Sequence, residues 1–273
     1  MMEPKEETVP DAVVEEASIL VTRIDERILK ITLNRPHKRN AVDAEARQLL
    51  LAALRDSHGK ASVIILTGAG RTFCSGMDLT QLTTGEADDN DELNRSWNLV
   101  QDEIRRHPAI VIASAEGYAL GGGSTLINVC DLAVLAENVQ IGIPELGFGY
   151  YPGLAGPAAQ LRLTSKRAAW MILTAKRISG VTAVEWGMAN LAVPADDLES
   201  ETLELARHVS QFDPTALEYT KKALWTIPMQ ISEWRAALEH GAFVNAEIHS
   251  RTQSHEGALK NFIEGVPNPG QGK

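Results

Sequence analysis

Short runs of branched apolar residues dominate the first half of this chain, and longer runs with helical spacing dominate the second. Residues 19–24 and 28–33 flank Asp25-Glu26-Arg27, which predicts an antiparallel hairpin with a short polar loop. Asp43 stands where a helix cap belongs, ahead of an apolar face made by Leu49, Leu50, Ala53 and Leu54. Val63-Ile64-Ile65-Leu66 has the length and branching of a buried strand, and Thr67-Gly68-Ala69-Gly70 ends it. The acid-rich stretch 83–94 reads as a mobile surface loop, followed by a helix over 93–106 that carries Trp97 and Val100. Residues 110–115 and 131–136 predict two more buried strands, and Gly121-Gly122-Gly123 opens a helix between them that runs through Val129. Strands alternating with helices give an α/β architecture. From Ala158 onward the pattern is helical, over 166–175, 183–188, 198–212, 214–226 and 231–264, with no second strand-rich region. No fixed-period repeat is present, which excludes solenoids.

Composition narrows the function. A chain of 273 residues can bury a sizeable core, and its net charge of −10 argues against nucleic acid as a partner, since that affinity comes from clustered Lys and Arg. Two cysteines, Cys74 and Cys130, cannot build a disulfide framework and include no CxxC pair, so a cytoplasmic location is expected. The first 17 residues are acidic, unlike a secretory or transit leader, and read as a disordered tail. No apolar run approaches the ~20 residues that cross a bilayer, so no membrane partner is expected. The seven histidines do not cluster with acids or cysteines, so no metal site is expected.

The glycine-rich segment 117–123 lies between a buried strand and a helix. Bare backbone N–H groups at the positive end of a helix suit an anion or an oxyanion. A phosphate loop is disfavoured because no Lys-Ser or Lys-Thr follows, and Gly68-Ala69-Gly70 lacks a third glycine at dinucleotide spacing. Glycines needed only for helix–strand packing remain the plain alternative.

Five segments in order change that balance: Leu33-Asn34-Arg35-Pro36 with Asn40-Ala41; Phe73-Cys74-Ser75-Gly76-Met77-Asp78-Leu79; the triple glycine; Pro144-Glu145-Leu146-Gly147; and Leu173-Thr174 with Arg177-Ile178-Ser179, Ala183 and Gly187. Together, over about residues 18 to 264, they resemble the crotonase (enoyl-CoA hydratase/isomerase) family. The resemblance implies a spiral of ββα turns over 18–195, a helical C-terminal trimerisation region over 196–264 and a flexible tail over 265–273. It also implies a homotrimer or dimer of trimers, and an acyl-CoA substrate with no further cofactor.

The resemblance places oxyanion-hole donors at the backbone N–H of Ser75 and of Gly122, and acid/base positions at Thr125 and Glu145. Two carboxylates suit syn hydration; a threonine hydroxyl can orient water but cannot hold its proton near neutral pH. Glu145 as the single acid/base is therefore expected to move a proton between carbons or to assist hydration. Lys38, Arg39, Asp78 and Leu79 match coenzyme A contacts, and Tyr150 and Tyr151 stand near the acyl group or in packing. A hydroxyl at 125 with Glu145 also resembles the hydroxycinnamoyl-CoA hydratase-lyases, although no tyrosine lies between 231 and 262. A non-catalytic acyl-CoA- or RNA-binding relative is the alternative from another class.

Overall fold

The computed structural model describes residues 17–78, 87–266 and 270, and of 87–92 the backbone alone. The expectations for the acidic tail through 16, for Leu79, for 83–86 and for most of the final tail fall outside the described residues. A six-stranded sheet runs in the order β1 (Ile19–Arg23), β2 (Ile28–Leu33), β3 (Val63–Gly68), β4 (Ile110–Ala115), β6 (Leu132–Ala136), β8 (Leu191–Val193). Only the β1–β2 hairpin is antiparallel; the other four pairings are parallel. β4 is buried at all six positions, as a strand covered on both faces must be.

A second, short sheet pairs β5 (Tyr118–Leu120) with β7 (Gln140–Gly142) in parallel. Each turn of the chain thus carries one strand of the large sheet, one short extended segment and then helix. β4 and β5 lead into α3 (Gly122–Val129), and β3 and the Cys74 segment lead into α2 (Ala87–Arg106). This is the ββα spiral. Three-residue strands such as β5, β7 and β8 carry too little periodicity to be read from sequence, and they add to the strands expected.

Asp43 caps α1 (Ala44–Asp56), accepting from the Ala46 N–H at 2.9 Å, and Leu50 and Leu54 are fully buried. Against expectation, α2 is already helical at 87, so most of the presumed loop belongs to it. The first turns of an exposed helix need no apolar residue, and acids are favoured near its positive end. The large sheet is covered by α7 (Leu198–Ser210), which buries Leu198, Thr202, Ala206 and Ser210 against β2, β3, β4 and β6. Further helices are α4 (Gly156–Arg162), α5 (Ser165–Thr174), α6 (Gly180–Glu185), α8 (Pro214–Gln230), α9 (Trp234–Arg251) and α10 (Ser254–Ile263), so the expected run 231–264 is broken near Thr252.

Lys221 fastens α8 to this body. Its ammonium is buried, 2.7 Å from Asp131, and donates to the carbonyls of Ile104 and Ala109 at 2.8 and 3.0 Å. Asp131 also accepts from the Val111 N–H and the Trp225 indole N–H. Burial pushes the Asp131 carboxyl up, and Lys221 opposes the shift.

Candidate active site

Three parallel segments end side by side. β5 opposes Leu120 to Gly142 of β7, and Ala119 is bridged in parallel by Cys74. Because all three run the same way, whatever follows each of them reaches the same edge, as in open parallel sheets that gather ligands at strand C-termini. The segment 75–78 follows Cys74, the glycines follow Leu120, and Pro144-Glu145 follows Gly142.

Gly121 turns the chain at φ 51°, and a Cβ there would lie 2.8 Å from Glu145 Oε1. The carboxylate therefore sits over the space that a glycine leaves empty. Gly122 is the first residue of α3, so its N–H has no acceptor within the helix. At Gly76, φ 100°, an added Cβ would meet the Leu120 carbonyl oxygen at 2.9 Å and the Gly122 nitrogen at 3.5 Å. Segment 76–77 thus lies directly against the start of α3.

The structure separates Ser75 from its neighbour Met77. The Ser75 N–H donates to the Arg39 carbonyl at 3.0 Å, so the donor expected at 75 is already engaged. Val42 accepts from the Asp78 N–H and donates to the Gly76 carbonyl, a parallel bridge that turns the Met77 N–H to the other side. Among the described residues the Met77 N–H has no partner. Sequence reasoning missed it, although Met77 stands in the same motif two residues later.

Glu145 begins the short 3-10 turn Glu145–Phe148. Loss of solvent pushes its carboxyl above the usual carboxylate range, its own backbone N–H opposes this weakly, and Oε2 is buried without a hydrogen bond. Thr125 is wholly buried, and its hydroxyl lies 3.3 Å from both the Gly121 and the Leu154 carbonyl oxygens. It ties the glycine turn to the loop before α4. Cys74 lies close by, but burial pushes its thiol up to about 12, so it stays neutral.

Lys38 and Arg39 are exposed, and the Arg39 carbonyl receives the Ser75 N–H, so this cationic edge adjoins the segment 75–78. Asp78 points away into an ion-pair network, with Arg35 at 3.3 Å from Asp78 and 2.8 Å from Asp43. Tyr150 and Tyr151 are 71% and 63% exposed, and the Tyr151 hydroxyl accepts from Gln160. The Tyr150 N–H donates to the Glu145 carbonyl at 3.2 Å, but neither phenol is hydrogen-bonded to the Glu145 carboxylate among the described residues. Trp97, unassigned by sequence, packs its Cζ2 3.2 Å from where a Gly122 Cβ would be, closing the site from α2.

Comparison with known proteins identifies the family. The chain is 34% identical over 212 residues to the 2,3-dehydroadipyl-CoA hydratase of Escherichia coli (strain K12), covering 76% of this chain and 82% of that protein. It is 31% identical over 213 residues to a hydroxycinnamoyl-CoA hydratase-lyase of Pseudomonas fluorescens, covering 72% and 75%. The crystal structure of an enoyl-CoA hydratase of Mycobacterium smegmatis shares the fold, with a TM-score of 0.87 at 23% identity over 92% of this chain and 97% of that one. With the enoyl-CoA hydratase/isomerase family model matching residues 23–268, the chain belongs to the enoyl-CoA hydratase/isomerase family.

Proposed function

We propose that this enzyme binds an unsaturated acyl-CoA with its thioester oxygen between the N–H groups of Met77 and Gly122, and that Glu145 is the single acid/base. One observation carries the reading: the half-buried Glu145 carboxylate lies over Gly121, with one oxygen buried and without a partner among the described residues, beside the free N–H that opens α3. Removing a proton next to the thioester puts charge on its oxygen, which the two fixed donors stabilise. In a 3-enoyl-CoA, Glu145 takes the proton from carbon 2, the double bond shifts to carbons 2 and 3, and the same proton returns at carbon 4. The raised affinity of Glu145 for a proton suits a group that must both take and return one. Thr125, with its hydroxyl between two carbonyls, acts here as a positioning residue, which favours isomerisation over two-carboxylate hydration. Lys38 and Arg39 supply charge for the coenzyme A phosphates. Exchange of the α-protons of butyryl-CoA in heavy water tests the base: exchange that vanishes in Glu145→Gln supports it, and none in wild type leaves only a binding protein.

A second reading, hydration followed by carbon–carbon cleavage, draws on the hydratase-lyase relative and the hydroxyl at 125. Release of an aromatic aldehyde from feruloyl-CoA, without isomerisation of a 3-enoyl-CoA, would replace the first reading by this one. Assembly as a homotrimer or dimer of trimers fits the apolar residues left exposed on the last helices, among them Trp234, Phe243, Phe262 and Ile263. Light scattering on a sizing column reads it directly. The free thiols of Cys74 and Cys130 fit a cytoplasmic setting, and no helix among the described residues is long and apolar enough to cross a membrane.

A further inference from the structure

The end of α3 away from Gly122 borders a pocket of about 300 Å3 between α2, α4 and α8. Six residues of helix, about 9 Å, separate it from the oxyanion donors. Two cations meet there. Arg105 and Arg162 both stack on the Trp225 indole, with Cζ 4.2 and 3.9 Å from the ring centroid. Neither is in an ion pair among the described residues: Arg105 Nε is buried with no hydrogen bond, and Arg162 gives its Nε–H to the Asn128 carbonyl at 3.1 Å. The nearby Asp131 carboxylate already accepts from Lys221, Val111 and Trp225. Asp102 lines the pocket, exposed and outside any ion pair among the described residues.

Two guanidinium groups on one ring repel each other, and burial adds to the cost. Burial first, then the charge of Arg105, lowers the proton affinity of Arg162. An anion in the pocket that both arginines line would offset their repulsion. Asn128, 4% exposed, lines the same pocket and sends its amide N–H to the Ser124 carbonyl. The remaining walls include Val129, Leu161 and Met229, which are apolar.

We propose that this pocket is a second binding site, for a small organic carboxylate with a short apolar body. The planar guanidinium fork matches a carboxylate in charge and shape, and a pocket at the small end of the ligand range suits a body of a few carbons. Inorganic phosphate would satisfy the arginines but leave the apolar walls uncovered. The site is independent of the acyl-CoA chemistry at Gly122.

Titration calorimetry with hexanoate as probe, in the presence of saturating butyryl-CoA, tests the proposal. Hexanoate should bind one per chain, and uncharged hexanamide about tenfold more weakly. Arg105→Gln removes no protein hydrogen bond, so it should fold and weaken hexanoate about tenfold, while Asp102→Asn should tighten it about twofold. Hexanamide binding as well as hexanoate, or hexanoate unaffected by Arg105→Gln, would overturn the site. So would displacement of hexanoate by butyryl-CoA, which would put the probe in the acyl pocket, or the absence of any saturable binding. Failure of butyryl-CoA itself to bind would count against the active-site reading, and the comparison of wild type with Arg105→Gln would remain readable.

Discussion

Asp131 and Glu145 are both carboxylates withdrawn from water near α3, and they differ in what surrounds them. Asp131 has an ammonium at 2.7 Å, a backbone donor and an indole donor. Glu145 has only its own backbone N–H and an oxygen with no partner, over an empty glycine. Burial raises the proton affinity of both. A satisfied buried charge fastens elements together, and an unsatisfied one is held ready for something that arrives.

The contrast implies that replacing each partner has opposite consequences, starting with the largest effect. Glu145→Gln keeps the shape and removes the proton acceptor, so turnover should fall about 10^4-fold with acyl-CoA affinity within several-fold. The same variant should melt higher than wild type at pH 7.5. A raised carboxyl pKa means that the folded state favours the neutral acid, an advantage present at low pH and lost as pH rises through the folded value, so the gap should close towards pH 4. By the same sign, kcat/KM of wild type should rise with pH through a midpoint above 4.5, as Glu145 ionises. A lower melting temperature for Glu145→Gln would dissolve the contrast.

Lys221→Met leaves the buried Asp131 charge without its cation, and should cost about 3–5 kcal/mol of stability, with kcat per folded molecule nearly unchanged. Denaturant unfolding followed by assays of the surviving fraction separates the two quantities. Comparable losses in kcat would mean that the anchor also shapes the site.

Gly122→Pro and Gly122→Ala both add a Cβ, which meets Met77 Cε at 3.0 Å and Trp97 Cζ2 at 3.2 Å, but only proline removes the N–H. Proline is favoured at the first helical position, so the fold should tolerate it. The rate of Gly122→Pro should lie about 10^2-fold below that of Gly122→Ala, the difference measuring one oxyanion donor. Equal rates would remove Gly122 from the mechanism.

Thr125→Val should have the smallest effect, about 1 kcal/mol of stability and a change in rate of about threefold, since it loses a tie between two carbonyls and no reacting group. A rate loss above about a hundredfold would make Thr125 a participant and return hydration to the front.

The hairpin, the Asp43 cap, β3, β4, β6 and the helix opened by the triple glycine were legible because each rests on local rules of period, capping and turn chemistry. The stretch 87–94 was misread because a helix turn rich in polar residues and a polar loop share one composition. Of the residues proposed for the site, Glu145 and Gly122 could be named by motif, whereas the proposal of Met77 in place of Ser75 depends on which neighbour each N–H meets.

The sequence by itself determined the α/β alternation and the family, since both depend on residue types at fixed spacings along one chain. Only tertiary structure decided that Asp78 belongs to an Arg35 network, that the Thr125 hydroxyl lies between the Gly121 and Leu154 carbonyls, and that Lys221 finds Asp131 ninety residues away. Hydrogen bonds and burial act over a few ångströms in space, and the spiral brings together segments that no local pattern links. The same partner-finding that fills the valences of Asp131 leaves those of Glu145 open.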